Sequence, residues 1–159
     1  MRENFAKAFG LGLAAVAVIV GVIMFMQKGA HMDLPGQIKV RTVPTGDDAA
    51  IALVDLHVTN PSDYNFMIGD ITVTVETNAG DKTEEIVSRD DAKRLFDSMP
   101  DSGPFHPALY TKANIPPRTT GDYTLVAQFS VPERMLKDRK RFVVHVQEVN
   151  GTTMEYSEK

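Results

Sequence analysis

Residues Ala8 to Met26 form nineteen consecutive positions without a charged or strongly polar side chain. As a helix rising about 1.5 Å per residue, such a run spans about 28 Å, close to the hydrocarbon thickness of a bilayer. Arg2 and Lys7 precede it and Gln27-Lys28 follow it, the flanks of a membrane segment. A cleaved signal peptide is the competing reading, but its apolar core normally has about 7–15 residues. Cleavage after Ala30 would also put Lys28 where a small residue is wanted, and no cysteine is available for lipoprotein attachment. The run therefore predicts an uncleaved transmembrane helix over 8–26, with a tail at 1–7 and a connector at 27–36.

Arg2, Lys7 and the terminal amine favour a cytoplasmic N-terminus, although Lys28, Lys39 and Arg41 reduce the charge difference. The expected arrangement is a single-pass signal anchor in a bacterial cytoplasmic (inner) membrane. Its C-terminal domain, 37–159, would be extracytoplasmic, that is, periplasmic. Within the run, Gly10, Ala14, Ala17 and Gly21 fall along one helix face, where small side chains let another helix approach closely. Gly and Ala are also common in membrane helices, which accounts for the spacing without a partner. A functional face would pack against another membrane protein or a second copy of the chain.

The overall hydrophobic content of 43% is thus an average of two materials. Without the anchor it falls to roughly 37%, enough for one foldable core and too little chain for a multidomain enzyme. The absence of cysteine excludes disulfide scaffolds, cysteine-ligated zinc or iron–sulfur sites and cysteine nucleophiles. With 17 Lys+Arg against 21 Asp+Glu, nothing points to nucleic acid, which normally meets a basic face.

Beyond the turn Pro35-Gly36, alternation with period two dominates. Ile38, Val40 and Val43 mark a first strand. Ala50 to Thr59 marks a second, with Ala52, Val54, Leu56 and Val58 on one face and Asp55 and His57 on the other. Tyr64 to Ile68 is a short extended run, Ile71-Val73-Val75 a half-buried strand, and Thr83 to Val87 leads back. Ser88 to Met99 changes period: Ala92, Leu95, Phe96 and Met99 have helical spacing, Ser88 can cap, and Pro100 terminates. This predicts one short helix over a sheet edge or sandwich end. Further strands are expected at Leu109–Ala113, Tyr123–Val131, Phe142–Val146 and Thr152–Tyr156. Asn150-Gly151 suggests a type I′ hairpin turn. Seven or eight short strands argue a mainly β chain: a transmembrane helix, then an antiparallel β-sandwich with one inserted helix.

The stretch from Leu53 to Ser62, a strand running into Asn60-Pro61, resembles the LEA-14/WHy group of immunoglobulin- or fibronectin-III-like domains. Ile115 to Gly121, leading into the strand Tyr123 to Val131, fits the same plan. The whole arrangement is similar to that of bacterial single-span membrane-anchored proteins carrying one such domain. The resemblance covers about residues 50–149 and implies an Ig-like fold; it brings no catalytic residues. It also implies an alternative role, stress protection during desiccation.

Chemistry-bearing motifs are sparse. Of the four histidines, His31 lies in the connector and His106 in a Pro-rich loop. His57 and His145 project from strand faces, and with Asp55 they would form a metal trio only if their strands were neighbours. Solvated imidazoles on a polar face explain them more simply. No Gly-x-Ser-x-Gly elbow exists, and Gly10-Leu11-Gly12 lies within the apolar run. The adjacent carboxylates Glu84-Glu85 and Asp90-Asp91 point in different directions, unlike a glycosidase pair. No catalytic residue, cofactor or metal site is therefore assigned.

Two surface features remain. Arg134, Lys137, Arg139, Lys140 and Arg141 gather five basic side chains in a domain that has 14 basic against 20 acidic residues from position 29 onward. They suggest anionic lipid headgroups or an acidic partner surface, although a solvated turn between strands accounts for them more simply. Phe105, His106 and Tyr110 sit in a Pro-rich loop suited to protein contact, or to packing over the sandwich end. The expected function is a non-enzymatic, membrane-anchored structural or accessory interaction module, such as a small subunit of a membrane complex. A metal- or ligand-binding carrier is the other alternative.

Overall fold

The computed structural model describes residues 12–22 and 33–158, which fall into two compact units divided after Met32. In the first unit, residues 12–22 are helical (α1), with Leu13, Val16 and Ile19 exposed. No helix among the described residues is long and apolar enough to cross a membrane. Residues 8–11 and 23–26 of the expected span lie outside the described residues, as do the 1–7 tail and 27–32 of the connector.

The second unit is mainly β, built from two antiparallel sheets. In the first, β1 (Gly36–Pro44), β2 (Ala50–Asn60) and β6 (Thr119–Phe129) lie in the order β1-β2-β6. The second has the order β4-β3-β7-β8, from β4 (Gly80–Glu85), β3 (Phe66–Thr77), β7 (Arg141–Glu148) and β8 (Thr153–Ser157); the two-residue β5 (Asn114–Ile115) also pairs with β3. One apolar core joins their inner faces. Val54, Leu56, Leu125 and Phe129 come from the first sheet, and Ile68, Val73, Phe142 and Val144 from the second. Phe129 and Phe142 meet edge-on across the two sheets, with ring centroids 6.1 Å apart.

Strand parity explains one difference from expectation. Phe66 and Ile68 face the core from even positions, whereas Ile71, Val73 and Val75 face it from odd ones. A continuous strand can change parity only through an extra residue. Gly69 is that residue: the register with β7 shifts between Ile68 and Asp70, joining two expected strands into β3. A Cβ on Gly69 would lie 3.2 Å from the Glu148 backbone, so the bulge favours glycine.

The Asn60-Pro61 corner is held by a buried amide. Asn60 Nδ2 donates to the carbonyls of Tyr64 (2.8 Å) and Ile115 (3.0 Å), and its Oδ1 accepts from the Ser62 amide and hydroxyl. A 1% exposed polar side chain is thereby fully employed, as burial demands.

Three local expectations are corrected. Leu109–Ala113 is not a strand; that segment is irregular and strand pairing resumes at Asn114. The β7–β8 turn is not type I′, because Asn150 does not have positive φ. The Gly151 amide instead donates to Glu148 and the Glu148 amide to Thr152, with Gly151 at φ 94°. That is a three-residue loop with glycine at the left-handed position. Finally, α2 (Arg89–Ser98) lies over neither an edge nor an end. Ala92, Leu95, Phe96 and Met99 cover the outer face of the first sheet, packing with Ile51, Leu53 and Val126 in a second apolar cluster. The reason is that β2 is apolar on both faces at Ile51 and Leu53, and those side chains need a cover.

Candidate functional site

The cover over the first sheet begins at a sheet-to-sheet crossing. After β4 the Val87 amide donates to the Val126 carbonyl of β6, at 2.8 Å, and the chain enters α2. Ser88 caps the helix, its hydroxyl accepting from the Asp91 amide and donating to the Asp91 carboxylate. After α2, a 3-10 turn at Pro100–Ser102 brings the chain back across the sheet. Phe105 then stacks on Phe96, with centroids 4.2 Å apart.

A polar clamp fastens this return segment. Arg41 of β1 grips Asp55 of β2 with two hydrogen bonds, Nε–Oδ2 at 3.1 Å and Nη2–Oδ1 at 2.9 Å. The same guanidinium donates to the carbonyls of Ser102 and Pro104 and lies over the Phe105 ring. Thr124 of β6 donates to Asp55 at 2.9 Å and accepts from the His106 amide at 3.1 Å. Residues 107–109 continue beside β6, where the Thr124 amide donates to Pro107 and the Leu109 amide to Thr124. The edge of β6 is thereby paired at Thr124.

Between α2 and residues 106–114 an open cleft of about 580 Å³ remains. Its floor is apolar, from Ala108, Leu109, Ala113 and Tyr123. Arg89, Asp90 and Lys93 line it from the helix, facing His106 and Tyr110 across the opening. The Arg89 guanidinium lies over the Tyr110 ring, 5.3 Å from its centroid. An apolar floor with a few convergent polar groups is the ordinary construction of a ligand site.

The sequence-derived site residues fall in several places. Of the small-residue helix face, Ala14, Ala17 and Gly21 are exposed on α1, and Gly10 lies outside the described residues. Of the aromatic loop, His106 and Tyr110 line the cleft while Phe105 is taken up by the cover.

Three of the five clustered basic residues carry acidic partners. Arg139 forms a two-pronged pair with Glu158 (2.6 and 2.8 Å) and lies over Phe142; Arg141 pairs with Glu76 at 2.7 Å, and Lys137 with Glu133 at 2.9 Å. Arg141 holds the Glu76 carboxyl below its usual range, and Lys137 does the same for Glu133. Arg134 and Lys140 have no ion pair among the described residues.

His57 and His145 are not brought together. His57 Nδ1 lies 2.7 Å from Asp122 on the first sheet, whereas His145 faces Glu155 at 3.5 Å on the second. Asp55 belongs to the Arg41 clamp. Among the described residues no three His, Cys, Asp or Glu side chains are grouped so as to hold a metal. His31 lies outside the described residues.

Two groups escaped the sequence reading. Arg89 and Lys93 have the i, i+4 spacing of one helix face, a signal present in the sequence. Arg41 carried no local signal, because its partners come from 14 to 63 residues away. No protein-family model matches the chain, and no curated protein matches it either.

Proposed function

We propose that this chain is a non-enzymatic, membrane-anchored interaction module, acting as an accessory part of a membrane complex. The observation that carries the reading is the open cleft beside α2, with its apolar floor and its cationic side chains on the helix. A sandwich alone needs no third layer. Here ten helical residues, a 3-10 turn and an aromatic loop are fastened to one outer face, and the cleft lies at their margin. The anchor is proposed on the nineteen apolar residues from Ala8 to Met26, with the N-terminus inside and the β domain outside the cytoplasm. The Asn60-Pro61 corner and the paired antiparallel sheets support an Ig-like domain of the LEA-14/WHy type.

The test uses the full chain expressed in bacterial membranes, with a photo-crosslinking residue placed singly at Ala113 in the cleft or at Thr72 on the opposite sheet. The expected result is a discrete protein adduct from position 113, retained in the alkali-washed membrane fraction, and none from position 72. Identical adduct patterns from both positions would overturn the cleft as the contact site. Release of the chain by alkali would overturn the anchor.

A further inference from the structure

We propose, resting on the interaction reading above, that the cleft takes a carboxylate carried on an apolar body. Arg89 and Lys93 receive the carboxylate, and Ala108, Leu109 and Tyr123 receive the apolar part. Three observations converge on this chemistry.

The first is unspent charge. Among the described residues Arg89 and Lys93 take part in no ion pair, whereas Arg94 on the same helix is paired with Asp91. Two cations at i, i+4 repel each other along the helix face. An anion between them offsets that repulsion. The second is pre-organisation. The Arg89 guanidinium carbon lies over the Tyr110 ring, 5.3 Å from its centroid, a cation–π contact that biases the side chain toward the cleft and leaves guanidinium N–H groups to donate. A planar fork in that state matches a carboxylate through two parallel hydrogen bonds. The third is charge balance. Asp90 also lines the cleft, so these three helix side chains sum to one positive charge, matching a single negative one. The apolar floor then selects an acid with a hydrophobic body over a small hydrophilic anion.

Such a carboxylate can belong to a free amphipathic acid or to an acidic side chain next to an apolar one in a partner protein. Calorimetric titration of the full chain in a neutral detergent distinguishes the two. One arm uses 4-phenylbutyrate against 4-phenylbutanamide. The other uses a blocked tripeptide of phenylalanine, glycine and glutamate against its glutamine counterpart.

The expected result is saturable binding of at least one acid, at least tenfold tighter than its neutral counterpart. The Arg89→Gln/Lys93→Gln double variant should weaken that binding at least tenfold, while Arg94→Gln leaves it unchanged. Binding of the free acid alone assigns a small-molecule ligand; binding of the peptide alone assigns a partner segment. Equal binding of acid and amide, no saturable binding in either arm, or no loss in the double variant would each overturn the proposal. So would tighter binding of phenyl phosphate.

The crosslink from position 113 separates this idea from the reading beneath it. Where the peptide acid binds, an adduct that survives Arg89→Gln/Lys93→Gln but disappears when Asn114→Trp fills the cleft leaves the interaction module standing and removes the carboxylate as its contact. Absence of any adduct from position 113 in the unsubstituted chain removes the module itself.

Discussion

Ile51 and Leu53 on the outer face of β2 are buried beneath α2, whereas Thr72, Thr74 and Glu76 on the outer face of β3 are half-buried polar groups. Both strands are lined with apolar residues on their inner faces and share one core. The outer face of the second sheet carries Val143 as a buried apolar side chain among polar neighbours, whereas that of the first carries the cluster Ile51, Leu53 and Val126, and among the described residues it is this cluster that α2 covers. The margin of that cover creates the cleft. A domain of this size thus gains an open cleft by adding a layer to one sheet while its inner core stays complete.

The largest effect is expected from unloading the covered face. Leu53→Ala should cost about 2–5 kcal/mol in urea unfolding, as deletion of a buried leucine does elsewhere. Thr72→Ala on the other sheet should stay within about 0.5 kcal/mol. Equal effects would mean that the cover contributes no more stability than the polar face.

Alkaline titration examines how the two sheets are joined at one end. Tyr156 of β8 donates its hydroxyl to the Leu34 carbonyl at 2.8 Å, and burial pushes its pKa from 10.0 up to about 12. The unfolded chain loses that proton first as pH rises. The stabilising contribution is therefore complete below about pH 10 and is lost on passing through about pH 12, a change on the order of 2–3 kcal/mol. Tyr156→Phe should lose about 1 kcal/mol at neutral pH and show no such alkaline decline.

A more local effect is expected at the clamp. Arg41→Ala leaves the half-buried Asp55 without its bidentate partner and frees the return segment, costing about 2 kcal/mol. Hydrogen exchange at the His106 amide should accelerate, while amides of β3 and β7 stay protected. The smallest effect belongs to the open face. Glu76→Gln should lower stability slightly at neutral pH and low salt. Arg141 depresses the Glu76 pKa below 4.5, so the pair's contribution is present above that value and is lost as pH falls through the depressed one. The difference between the variant and the original chain should therefore vanish in acid.

Much of the strand framework was legible because burial on one face writes period two into a sequence. β1, β2, β7 and β8 fall close to their expected positions, and α2 begins at its Ser88 cap and ends before Pro100. Joining the two parts of β3 was legible in principle from the parity change at Gly69. The position of α2 was not. Helical periodicity identifies an apolar stripe but not the surface that will receive it, and that surface was half hidden in the uninterrupted apolar run Ala50 to Val54. Of the cleft, the Pro-rich loop pattern marks His106 and Tyr110, while Arg89 and Lys93 carry only an i, i+4 spacing that any exposed helix face can show.

The apolar run at 8–26, the alternating strands, the helix with its cap and stop, and the absence of cysteine chemistry can all be read from the chain as written. These are local properties, fixed by side-chain period and by residue type. Which sheet the helix covers, which basic residues meet an acid, and the placement of His57 and His145 on different sheets emerge only in the folded chain. Each of these depends on contacts between residues far apart in the chain. Such contacts are chosen by the packing of whole faces, which no short stretch of sequence contains.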